Sequence, residues 1–385
     1  MTRYSKRSIF VAGCMGMLLF GIVIATLGSV LPSVMEKFSM DKADAGSLFV
    51  MMNLGMLTGS ILFGPLVDRY GYKWVLAISA LIVFLSLEGI AFAPSLIILK
   101  FSLFFVGFAG GAVNGGTNAL ISDISQENRG SGLSLLGVFF GIGALGVPLL
   151  LGTLLDRFTY EGLIGFIGIM ILIPVIFFSL LKFPAPKHEQ GFPIKDSIML
   201  VREPVLILFG LILFIQSGLE MTVSGWSATF MHEEINLPAR QSVLYLSFYW
   251  LGLIAARTII SELLKKFSMN TIMNLSMVLS IAASSILILS NGVIMVIPAL
   301  FMTGVGFAAI FPLVFAYVGN LYSNYSGTAF GVILAIALIG GMLIPWIAGL
   351  LAGILSLRIS LIIVPLSMMA TILIFSRIKK RISEE

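Results

Sequence analysis

Apolar positions fill this chain in long runs, and polar positions collect in the gaps between them. Twelve apolar segments can be marked, near 8–35, 45–67, 74–93, 95–122, 130–156, 162–183, 204–231, 241–264, 270–290, 293–322, 326–355 and 357–376. Each is about 20 residues or longer, the length that carries an α-helix across the hydrocarbon core of a bilayer. The gaps are short except one. The stretch from Lys182 to Pro204 holds Pro184, Pro186, Pro193 and several charges, and it reads as a linker. The pattern predicts an all-α membrane protein of twelve transmembrane helices. One six-helix bundle is expected over 1–183, a cytoplasmic linker over 184–203 and a second bundle over 204–385.

The two halves repeat. A shift of 197 residues, without gaps, lays Gly21 on Gly218, Gly28 on Gly225, Leu54 and Gly55 on Leu251 and Gly252, Gly107 on Gly304, and Gly130 on Gly327. Under the same shift Gly143, Pro148 and Gly152 fall on Gly340, Pro345 and Gly349. One constant offset across five spans marks an internal repeat. With six spans per copy, both copies run in the same direction, which is a parallel repeat.

Composition narrows the class. The 385 residues are 58% hydrophobic and only 11% charged, against about 25% charged in soluble domains, so water is not the main solvent. The net charge of +5 does not indicate nucleic acid, because the basic residues lie between apolar spans rather than on a polar domain. With the N-terminus inside, 16 of the 23 basic residues fall on the inner side and 5 on the outer, while Lys100 and Arg257 lie within spans. That bias predicts a multi-pass cell-membrane protein with both termini cytoplasmic. The basic start and the apolar run to about Val34 read as a retained first span rather than a cleaved leader. Cys14 has no partner for a disulfide, and neither His188 nor His232 has a Cys or His at ligand spacing, so no metal and no cofactor is expected. There is no phosphate-cradling G-x-x-x-x-G-K-[ST] motif for ATP-driven transport and no Ser-His-Asp set, so no enzyme is expected.

One turn is unusually rich in charge. Gly64 to Lys73 reads GPLVDRYGYK. Placed after the second span, it resembles the major facilitator loop signature G-x-L-x-D-R-x-G-R-K, matched by Gly64, Leu66, Asp68, Arg69, Gly71 and Lys73, with Tyr72 where a basic residue is usual. The second copy reads SELLKKFSMN, which keeps the basic character and loses the acid. A narrower likeness lies in GLEMTVSGWSATF (Gly218 to Phe230) and SFYWLGLIAAR (Ser247 to Arg257). These look like fucose-permease-type and sodium-dependent-glucose-transporter-like members. The resemblance implies two bundles with a solute site at midplane. It also implies a conformational gate that includes Gly64, Asp68, Arg69, Gly71 and Lys73 in the first half and Arg257 in the second. Asp68 is expected to act as a latch near the start of the eleventh span, around Gly327, where a carboxylate suits the helix dipole.

Polar side chains inside spans are few, and each is costly unless it meets a cavity or a partner. Glu220 and Gln216 are four apart in the seventh span and share a face. Glu220 is the leading residue for hydrogen-bonding a solute or coupling an ion, against a structural pairing with a neighbouring span. Asn114 and Asn118 share a face of the fourth span beside Gly107, Gly111 and Gly115. They offer donors and acceptors to a solute, or else bond to each other or to another helix. Asn53 falls on Trp250 under the 197-residue shift, and with Tyr249 this makes an amide-and-aromatic set of the kind a sugar needs. Trp226 either caps a cavity or belongs to an interfacial belt. Glu88 reads as a structural or snorkelling acid.

The expected function is secondary transport of a small polar solute, a sugar before other classes, by alternating access in a lipid bilayer with H+ or Na+ as the coupling ion. An exporter of drugs or amphipathic metabolites competes with it, through the partial match at Gly143, Gly146, Pro148 and Gly152. A membrane receptor that does not turn over is the second alternative.

Overall fold

The computed structural model describes residues 5–124, 129–184, 203–322 and 326–384. Among these residues the regular elements are all helical. Twelve helices are long and apolar enough to cross a membrane: Lys6–Phe38, Lys42–Val67, Arg69–Ala91, Leu96–Ser122, Leu135–Leu154, Tyr160–Leu180, Pro204–Glu233, Ala239–Ile260, Met269–Leu289, Val293–Leu321, Ala329–Ile354 and Leu357–Arg381. They are numbered as spans in that order.

Local chemistry sets several ends. Ser5, Thr159 and Ser268 occupy N-caps, and each accepts a backbone N–H three residues on, which satisfies one orphan donor of the first turn. Ser39 closes the first span in the left-handed region at φ 49°. Asp41 then accepts the Asp44 N–H at 2.7 Å as the second span begins. The turn at Gly64–Lys73 is tighter than a loop. Helical dihedrals run from Lys42 to Ala91 apart from Gly71, at φ 76° and ψ 164°, a backbone that glycine adopts freely and other residues only with strain.

Prolines are mostly absorbed. Pro32, Pro65, Pro148, Pro174, Pro298 and Pro345 all sit inside continuous helices. The tenth span is the exception: one helix ends at Phe307 and a second starts at Ile310. Pro312 follows closely. It has no N–H to offer the carbonyl of Ala308, and its ring crowds that carbonyl, so the ladder is cut in the middle of an apolar run.

The chain forms two compact units. One comprises Met1–Met40, Met51–Gly191 and Ala239–Ser247; the other comprises Asp41–Val50, Phe192–Pro238 and Phe248–Glu385. Of the expected linker over 184–203, residues 185–202 lie outside the described residues. Within the first unit, a methyl group at Gly55 would strike the carbonyl of Phe104, and one at Gly107 that of Met52. Within the second, Gly252 meets the carbonyl of Phe301 in the same way, and Gly304 that of Tyr249. These pairs are the same contacts 197 residues apart, so the sequence repeat is a repeat of backbone approaches. Close approach at small residues holds helices together where lipid supplies no hydrophobic drive. Ion pairs tie in the short exchanged segments: Lys42 to Glu233 at 2.8 Å in the second unit and Arg240 to Asp156 at 2.6 Å in the first.

Candidate solute site

The seventh span supplies the centre of the site. Gln216 and Glu220 are one helical turn apart and point the same way. Gln216 is fully buried. Its Nε2 donates to Glu220 Oε1 at 2.8 Å and to the Phe307 carbonyl at 3.2 Å. Phe307 ends the first helix of the broken tenth span, so its carbonyl is one of the terminal acceptors a helix leaves open. The break therefore gives Gln216 a partner that a continuous helix would have used itself.

The eighth span supplies the flank. The Tyr249 and Trp250 rings meet edge to face at 5.0 Å, and Tyr249 also meets Phe307 at 6.3 Å. Both residues are buried, and the Tyr249 carbonyl is the surface that Gly304 touches. Tyr249 and Arg257 lie within electrostatic reach of Glu220. Arg257, which the resemblance assigns to the gate, stands among the residues around Glu220, seven positions from Trp250 and so on the same helix face.

Two atoms here lack a hydrogen-bond partner among the described residues: Gln216 Oε1 and Tyr249 Oη, both buried. A buried polar atom left unpaired is costly, and when it persists it marks a place for water or a ligand. The cluster thus holds an acceptor, a hydroxyl, an acid and a guanidinium whose charges offset each other.

The other expected residues are distributed elsewhere. Asn118 Nδ2 donates to both the carbonyl and Oδ1 of Asn114, each at 2.9 Å, with Met17 Sδ at 3.9 Å. The two amides are therefore partly occupied with each other, and both are half-buried. Asn53 is buried in the first unit. Trp226 is buried, and its Nε1 donates to the Pro345 carbonyl at 3.0 Å while its ring packs on Phe49. Glu88 lies against Gly165 and Gly168 of the sixth span, with Oε1 unpartnered among the described residues.

At the charged turn, Arg69 lies 5.3 Å from the Tyr70 ring and Lys73 lies 5.5 Å from the Trp74 ring. Gly64 has open space where a Cβ would be. Tyr72 is buried, at 7% exposure, so it packs inward where the motif usually has a basic residue. The side chain of Asp68 lies outside what is described.

The Phe307 carbonyl was not foreseen from the sequence. Pro312, well inside an apolar run, was the signal that could have found it.

Comparison with known proteins follows the same lines. The family model described as Major Facilitator Superfamily matches residues 13–334. The MFS-type transporter YfkL of Bacillus subtilis (strain 168) is 24% identical over 86% of this chain and 86% of its own. The glucose/mannose transporter GlcP of the same organism is 22% identical over 86% of this chain and 84% of its own. Among solved structures, a point mutant of the nucleoside transporter NupG superposes with a TM-score of 0.81 at 16% identity, covering 97% of this chain and 99% of that one. At that identity the likeness is one of fold.

Proposed function

Because the chain belongs to the Major Facilitator Superfamily, we propose that it carries a small polar solute, a sugar before other classes, across the cell membrane by alternating access. A proton or sodium ion moves with the solute. The observation that carries this reading is the pair of unpartnered atoms, Gln216 Oε1 and Tyr249 Oη, beside Glu220. A sugar hydroxyl both donates and accepts, so it can complete the two together. Glu220 and Arg257 lie within electrostatic reach of each other and are opposite in sign, so an uncharged solute adds no further charge to the site. A glucose/mannose transporter among the relatives supports the same class.

In this reading the bundles are 1–183 and 204–385, joined by a cytoplasmic linker at 184–203, and both termini face the cytoplasm, as the bias of basic residues supports. Asn53, Asn114 and Asn118 in the first half add polar contacts to the solute. Gly64, Asp68, Arg69, Gly71 and Lys73 form a gate at the inner face, with Asp68 as its latch.

Glu220→Gln keeps the shape and removes the charge. Reconstituted in liposomes, this variant is expected to lose gradient-driven D-glucose uptake about tenfold or more, the worth of a charged hydrogen bond, while solute exchange persists. Normal uptake together with normal exchange would remove Glu220 from the coupling role.

A further inference from the structure

We infer that Phe311 and Phe315 form an aromatic platform on which the solute lays the flat apolar face of a ring; this rests on the solute-site reading of the Glu220 cluster. The 197-residue repeat places these two residues at the positions of Asn114 and Asn118. The asparagines stand out in an apolar run, whereas a phenylalanine there gives no signal.

Their placement separates them from ordinary core. On the helix Ile310–Leu321 the residues Ile310, Leu313, Val314 and Val318 are buried and form the packed side. Phe311 and Phe315 are half-buried, at the edge of an open side that also carries Pro312 and Ala316. An open side could face lipid or water, and the repeat favours water: the matching side of the fourth span carries the half-exposed amides of Asn114 and Asn118. Amides turned toward lipid are costly.

The two rings lie 6.1 Å apart at 19° to each other, and Phe330 continues the row 4.9 Å from Phe315. Phe311 comes one turn after Phe307, whose carbonyl Gln216 holds. The row therefore starts beside the polar cluster, in the same unit. A solute that satisfies both surfaces has hydroxyls on one edge and a flat C–H or π face on the other. A pyranose and a nucleoside share that chemistry; an open-chain polyol has the hydroxyls without the face.

The test uses purified full-length protein and calorimetric titration with D-glucose, uridine and mannitol. Phe311→Leu/Phe315→Leu keeps the apolar character and loses the flat ring. It is expected to weaken whichever ring solute the wild type binds by about tenfold, in line with the loss of one stacking contact. Phe311→Tyr/Phe315→Tyr is expected to restore affinity, and mannitol is expected to change by less than about twofold. D-glucose and uridine separate the two ring classes. An equal loss for mannitol would mean a general structural effect and overturn the platform. Unchanged ring affinity, with affinity lost in Gln216→Leu, would overturn the platform and leave the polar site standing. If the wild type binds none of the three, the site reading falls and the platform falls with it. Should the double leucine variant fail to purify, Phe311→Leu alone serves, with an expected loss of about threefold.

Discussion

Trp226 commits its one polar atom to the Pro345 carbonyl and its ring to Phe49. Both contacts hold the seventh span in place. Trp226→Phe keeps most of the volume and removes this hydrogen bond, at a cost of about 0.5–1.5 kcal/mol. The expected result is a lower apparent Tm with unchanged affinity for solute. A large loss of D-glucose affinity at constant Tm would place Trp226 in the site instead. Glu220 and Gln216 were legible in the sequence because polar residues stand out in apolar runs and a spacing of four fixes a shared face. The nearness of Arg257 to Glu220 was not legible for a physical reason. Position along a span gives its depth, but not which neighbouring helix supplies its partner.

Helices show the same division. The ends of the spans follow from where apolar runs stop, and the twelve segments marked in the sequence correspond to twelve helices in the structure. The interruption at Ala308–Ala309 was not legible. Residues 293–322 carry no charge and few polar side chains, and six other prolines lie in helices that stay continuous, because buried neighbours can take up a freed carbonyl. Pro312→Ala would return the missing N–H and lift a restraint worth about 3 kcal/mol in a helix interior. The tenth span is expected to become continuous and to reclaim the Phe307 carbonyl from Gln216. Hydrogen exchange across 307–313 should slow, and D-glucose uptake should fall about tenfold. Fast exchange with full uptake would mean that the break is not what positions Gln216.

At the scale of the molecule, the repeat was legible because glycines at one offset report shared helix contacts. Those contacts recur at Gly55 and Gly252, and at Gly107 and Gly304. What carries the motion is less legible, since a conformational equilibrium is a difference between states and the sequence shows only residues. The proposed latch is tested there. Asp68→Asn is expected to shift the inward–outward balance, read from spin-label distances, and to slow transport about tenfold, while D-glucose affinity changes less than about twofold. Lost affinity with an unshifted balance would sink the latch.

The matched glycine contacts also bear on history. Each joins main chain to main chain, so a change of side chain elsewhere cannot compensate for a bulkier residue there. A gene that doubles inherits that restriction twice, and both copies must keep it. Positions 53 and 250, 114 and 311, and 118 and 315 are under no such demand, and there the copies have diverged, asparagine in one and an aromatic in the other. The repeat keeps these backbone approaches in both halves and leaves the three pairs of positions free to differ.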